Sequence, residues 1–215
     1  MSTRSSSKEP LQYLASARCC TGIVDSQKGL LPLLQRFPKP RVLALALALF
    51  ASGTTGQDRA PDINYVPTPL PVVERMLELA RIGKDDVVYD LGSGDGRIVI
   101  TAAQRYGARG VGIEINPVWV RDARAIAEQL GVADRVSFRI EDLFLTDLGD
   151  ATVVAFYLFP TVNRKLQPKF VRELKPGTRV VSHEYRIGDW PPDHTETMVV
   201  DGERHVIHLW TVPPR

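Results

Sequence analysis

The stretch Asp86-Val-Val-Tyr-Asp-Leu-Gly-Ser-Gly-Asp-Gly-Arg-Ile-Val-Ile100 constrains this chain more than any other. A short β-branched run ends at Asp90, as a buried parallel strand does. Three glycines at alternate positions follow (Gly92, Gly94 and Gly96), and an apolar helical pattern then begins. A strand, a glycine turn and a helix N-terminus together build a nucleotide-handling corner. A dinucleotide fingerprint spaces its glycines as G-x-G-x-x-G beneath a pyrophosphate. Here the glycines alternate, and acids flank the turn. Carboxylates repel a pyrophosphate but suit a ligand that carries an ammonium and a sulfonium.

With its strand and Asp90, this turn resembles motif I of the class I S-adenosylmethionine (SAM)-dependent methyltransferases. The resemblance implies that SAM binds at the end of the first strand.

A chain of 215 residues holds at most one ordinary domain and an appendage. A net charge of +2 gives no case for a nucleic-acid surface. Cys19 and Cys20 are adjacent and lie outside the motif-bearing body, so the body has neither a disulfide framework nor a thiolate metal site. Residues 1–35 sustain no hydrophobic period and read as disordered or as an over-extended reading frame. Residues 36–53 pair a basic flank, Arg36 to Arg41, with the apolar run Val42 to Phe50 and the small residues Ala51-Ser-Gly53. This is signal-peptide length, short for a bilayer span. It reads as an export signal cleaved after Gly53 or as an uncleaved membrane anchor. The expected location is therefore periplasmic or membrane-anchored, or cytoplasmic if the segment goes unused. Residues 54–64 form a linker, and residues 65–215 the folded domain.

Along the domain, Tyr65-Val-Pro-Thr-Pro69 is extended, because each proline biases its predecessor away from the α region. Pro71 to Ile82 has helical spacing. Val87–Leu91 is the first strand, and a helix runs from Gly96 to Tyr106. Gly110 to Ile113 is a second strand ending in Glu114, and Pro117 opens the next helix. Val136–Ile140 is a third strand, Ala151 to Pro160 a long fourth, Asn163 to Leu174 a helix and Thr178 to Glu184 a fifth strand. Asp201-Gly202 joins a terminal hairpin, Thr195–Val200 with His205–Val212. Strands alternating with helices give an α/β, Rossmann-like, doubly wound sheet. The terminal antiparallel hairpin resembles that of the seven-stranded methyltransferase sheet, of order 3-2-1-4-5-7-6.

Several stretches, in matching order, resemble one subgroup. They are Val66-Pro-Thr-Pro69, Tyr89 to Val99, Gly112-Ile-Glu-Ile-Asn-Pro117, Asp142-Leu-Phe144, Arg179-Val-Val-Ser182 and Trp190-Pro191. The subgroup is the mitochondrial lysine methyltransferases of the adenine nucleotide translocase and the ATP synthase c-subunit, with their prokaryotic relatives. The resemblance implies S-adenosyl-L-methionine as cofactor and a protein lysine as acceptor, a membrane protein being one candidate. A monomer is expected. It also implies that the segment with Tyr65 and Thr68 closes over the methionine end, while Asp90 and the backbone of Gly92 and Gly94 hold the amino-acid portion. Glu114 would take the ribose, or be a solvated strand end. Asp142, with Leu143 beside it, would take the adenine, or be an ordinary helix N-cap.

The reacting end is less defined. Tyr157-Leu-Phe-Pro160 stands where many amino-methylating enzymes carry an Asn/Asp-Pro-Pro-Tyr/Phe motif. Tyr157 and Phe159 either shape an aromatic channel for an amine or fill the core of a buried strand. Glu184 either receives the acceptor's proton or is a charged strand end. Trp190 either caps the substrate mouth or packs a loop. Four histidines fall late in the chain, but no spacing supports a metal set. The rivals are a methyltransferase for a small molecule or lipid, a nicotinamide-dependent oxidoreductase, and a non-catalytic SAM-binding protein.

Overall fold

The computed structural model describes residues 66–214. Tyr65, the apolar run 42–50 and the other features assigned before residue 66 lie outside the described residues. Among the described residues, no helix is long and apolar enough to cross a membrane.

The elements are α1 (Leu70–Leu79), β1 (Val87–Leu91), α2 (Arg97–Tyr106), β2 (Arg109–Glu114), α3 (Pro117–Gln129), β3 (Val136–Ile140), β4 (Val153–Phe156), α4 (Pro160–Glu173), β5 (Arg179–His183), β6 (His194–Val200) and β7 (Glu203–Thr211). The strands form a single sheet of order β3-β2-β1-β4-β5-β7-β6. The first five run parallel, and β7 is antiparallel to both β5 and β6. This is the expected architecture.

Side chains alternate across each strand, so the sheet buries two separate cores. Val88 and Val153 face a cluster with Val72, Met76, Val99 and Ala123 from α1, α2 and α3. Tyr89, Leu91, Val154 and Phe156 face the other way, against Leu166 and Phe170 of α4 and against Trp210. Phe156 and Phe170 stack there at 5.8 Å between ring centroids.

Two elements end several residues short of where the sequence suggests. The helix expected to reach Ile82 ends at Leu79, because Arg81 adopts φ +50° and the Ile82 amide bonds back to the Leu77 carbonyl at 3.1 Å. This is a C-terminal closure that stops further helical bonding. The long fourth strand contracts to Val153–Phe156, since Pro160 opens α4 and lacks the N–H that a strand ladder needs. Tyr157 and Phe159 are thereby released from the sheet interior to the carboxyl edge.

Candidate functional site

In an open parallel sheet, ligands bind beyond the carboxyl ends of the strands, where the strand order reverses. β1 lies at that point here, between β2 and β4, and Asp90 stands one residue before its end.

The turn after β1 is held in place by the next strand. The amides of Gly92 and Ser93 both donate to the Ile113 carbonyl, at 2.9 and 3.0 Å. The Gly94 amide donates to Glu114 Oε2 at 3.0 Å, while Glu114 Oε1 accepts from the Asn116 amide at 2.9 Å. Gly94 has φ +51° and Gly96 φ +79°. A Cβ on Gly96 would stand 2.5 Å from the Phe138 ring, so the third glycine makes room for a β3 side chain rather than for the ligand.

Asp90 is 2% exposed. Burial, then the carboxylates of Asp95 and Glu114, push its carboxyl well above the usual range, and Arg97 acts in the opposite direction. A cationic group arriving beside it would favour the ionised form. Asp142 sits at the end of β3, half-buried beside Leu143, and its Oδ1 accepts from the Phe144 amide at 2.9 Å. That bond shapes a turn rather than a regular helix cap. Asp90, Gly92, Gly94, Glu114, Asp142 and Leu143 thus follow one another along the carboxyl ends of β1, β2 and β3, on the half of the edge assigned to the cofactor.

Sequence reasoning missed Arg97. Its guanidinium pairs with both oxygens of buried Asp95, the shortest contact being 2.6 Å, and its Nη1 donates to the Thr68 carbonyl at 2.9 Å. One side chain therefore ties the glycine turn to the extended segment ahead of α1. The available signal was the acid–base pair inside Gly94-Asp-Gly-Arg97.

Thr68 is buried, and its Oγ1 lies 3.2 Å from His183 Nδ1 at the end of β5. His183 Nε2 in turn lies 3.0 Å from His205 Nδ1 on β7. Burial, then the neighbouring His205, push His183 down to about 4, so it is neutral at physiological pH. Tyr157 packs its ring 4.2 Å from the His183 ring and 6.4 Å from that of Tyr185, and Phe159 also approaches Tyr185 at 6.4 Å. Burial first, then Tyr185 and Glu184, raise the Tyr157 hydroxyl, which stays protonated. The two aromatics left open by the sequence are therefore outside the core, Tyr157 half-buried and Phe159 exposed.

Glu184 has φ +66°, unusual for a residue with a side chain. Its amide donates to the Val206 carbonyl at 2.7 Å, and its Oε1 accepts from the Val206 amide at 3.1 Å. Its carboxylate is thus turned toward β7. Trp190 packs a loop: it lies against the Trp210 core, and its carbonyl accepts from Trp210 Nε1 at 3.0 Å.

Residues 90–194 match the model of the ANTKMT methyltransferase domain. The chain is 46% identical over 153 residues to a protein-lysine N-methyltransferase of Saccharolobus islandicus, covering 71% of this chain and 95% of that one. It is 34% identical to the human lysine N-methyltransferase of the ATP synthase c-subunit, covering 65% of this chain but only 59% of the human enzyme. Among solved structures, an RNA methyltransferase from Salinibacter ruber in complex with S-adenosyl-L-homocysteine is 55% identical, with a TM-score of 0.65. That match covers 70% of this chain and 95% of the other.

Proposed function

Since this chain belongs to the family of SAM-dependent protein-lysine N-methyltransferases, we propose that its acceptor is a lysine amine of a protein. The observation that carries this is the aromatic group beyond β4 and β5. Tyr157, Tyr185 and Phe159 gather at the carboxyl edge, next to the half of that edge that holds the glycine turn. Such a wall suits the apolar stem and amino tip of a lysine.

SAM supplies the methyl group and a leaving sulfur for an in-line displacement, so the protein's part is mainly alignment. Glu114 would hold the ribose, Asp142 and Leu143 the adenine, and Asp90 the ammonium. Thr68 and Tyr65 would close the segment over the methionine end. A lysine amine must first lose its proton, which costs roughly 4–5 kcal/mol at pH 7 for a free pKa of about 10.4. An aromatic, desolvated channel beside a sulfonium lowers that cost, because both disfavour the ammonium. Tyr157 orients the amine through its hydroxyl. Glu184, already bonded to the Val206 amide, is not required as a base.

The Salinibacter protein is described as acting on RNA, which sets a second acceptor class against the first. We favour lysine because the chain is 46% identical to a protein-lysine N-methyltransferase over nearly the whole of that enzyme, and a net charge of +2 gives no case of its own for nucleic-acid binding. The protein is incubated with methyl-labelled SAM and an extract, then treated with protease or with nuclease. Label lost to protease and kept through nuclease is the expected result. The reverse pattern overturns the lysine reading.

The location follows as a further part of the proposal. SAM is made in the cytosol, so residues 42–50 would serve as an anchor with the catalytic domain, a monomer, on the cytosolic side. Membrane fractionation with protease protection tests this, and recovery of the chain outside the membrane overturns it.

A further inference from the structure

Beyond methyl transfer, the antiparallel edge of the sheet brings three metal-ligating groups together. His183 Nε2, His205 Nδ1 and Glu184 Oε1 are mutually separated by 3.0, 3.4 and 3.5 Å. Among the described residues they form a His-Glu-His group whose ligand atoms lie close enough together to share one ion. A zinc-type ion held about 2.0–2.2 Å from each donor sets its donors roughly 3.3–3.5 Å apart. We propose that His183, Glu184 and His205 form a three-ligand site for a divalent transition ion of the zinc class.

Three further features fit. Thr68 Oγ1 lies 3.2 Å from His183 Nδ1, which is the outer-shell partner a ligating imidazole requires to fix its tautomer. Glu184 keeps its carboxylate beside the two imidazoles through a left-handed backbone with φ +66°, a strain that the Val206 pairing sustains. Its side chain is 22% exposed, whereas those of His183 and His205 are 1% and 11% exposed, so the carboxylate side offers the entry path. In the metal-free form the two facing ring nitrogens share a proton. With His183 Nδ1–H directed at Thr68, that proton resides on His205 Nδ1. On ion binding it moves to the other ring nitrogen of His205, leaving both facing nitrogens as lone-pair donors, and the pair opens by roughly a few tenths of an ångström. Two imidazoles and one carboxylate leave a fourth tetrahedral position for water, and favour zinc or cobalt over calcium or magnesium. The ion would join β5 to β7 and, through Thr68, both strands to the segment ahead of α1.

The test uses the full chain with Cys19→Ser and Cys20→Ser, so that the adjacent thiols do not compete. Protein stripped with a chelator is titrated with Zn²⁺ by calorimetry and with Co²⁺ by visible absorption. The expected result is one equivalent bound, a tetrahedral Co²⁺ spectrum, and affinity weakened roughly tenfold or more in Glu184→Gln and in His205→Gln. His194→Ala, at the separate His194–Glu196 pair, leaves binding unchanged. Retained S-adenosylhomocysteine binding shows that each variant is folded. Absence of saturable binding by the parent protein overturns the proposal. So does parent binding that folded Glu184→Gln and His205→Gln leave unaltered.

Discussion

Glu114 Oε2 accepts the Gly94 amide at 3.0 Å while its other oxygen takes the Asn116 amide. The carboxylate expected to bind the ribose is therefore oriented by the glycine turn before any ligand arrives. Glu114→Gln keeps one acceptor but loses the charge-assisted bonds, each worth about 1.5–3 kcal/mol. S-adenosylhomocysteine affinity should fall roughly 10- to 100-fold by calorimetry. Unchanged affinity would remove Glu114 from the cofactor site.

Asp90 is a buried acid whose charged form is disfavoured by burial and by the carboxylates of Asp95 and Glu114. A carboxyl raised on folding binds its proton more tightly in the folded state, so its effect opposes folding increasingly as pH rises above its unfolded value of about 4. Asp90→Asn should therefore raise the ligand-free Tm at pH 7, by roughly 2–4 °C, with the gain vanishing near pH 4. The same change should weaken S-adenosylhomocysteine binding. Thermal melts across pH, with and without ligand, check both signs.

Gly96→Ala should cost roughly 2–4 kcal/mol. It combines a left-handed φ with a Cβ placed 2.5 Å from Phe138. Phe138→Leu in the same chain should recover part of that loss, which urea unfolding would measure. A single variant as stable as the parent would contradict the packing role assigned to this glycine.

Arg97→Ala leaves buried Asp95 without its guanidinium and frees the Thr68 carbonyl. Breaking such a pair costs about 3–5 kcal/mol when fully buried, and less for side chains 14% and 11% exposed. Hydrogen exchange across residues 66–70 should accelerate and cofactor affinity should drop. Exchange confined to the glycine turn would show that the tie to Thr68 has no consequence.

The legible parts of this molecule are local ones. The β1 turn, Glu114 at the end of β2 and the terminal hairpin each follow from a few adjacent residues, and all appear in the expected places. Arg97 lay within the most informative stretch, yet its partner Thr68 is 29 residues away and comes close only through tertiary packing. The meeting of His183 with His205 depends on the antiparallel register that sets His183 opposite Ile207. His205 lies two positions along β7 from Ile207 and so shares its face. Spacing along the chain carries no trace of that register. Tyr157 was undecidable in sequence for a related reason, since an apolar run does not reveal where its strand stops.

Tyr157→Phe keeps the ring against His183 and should reduce kcat by less than about tenfold, whereas Tyr157→Ala opens the wall and should reduce it roughly 100-fold. S-adenosylhomocysteine affinity should be unchanged in both. Equal activity of the alanine variant and the parent would exclude Tyr157 from the acceptor channel.

The most direct test is the chemical identity of the methylated product. Methyl-labelled SAM is incubated with the enzyme and an extract, and the labelled fraction is hydrolysed and analysed by mass spectrometry. Label in Nε-methylated lysine, absent with Glu114→Ala, is the predicted result. Label in a methylated nucleoside or a small molecule would contradict the lysine assignment.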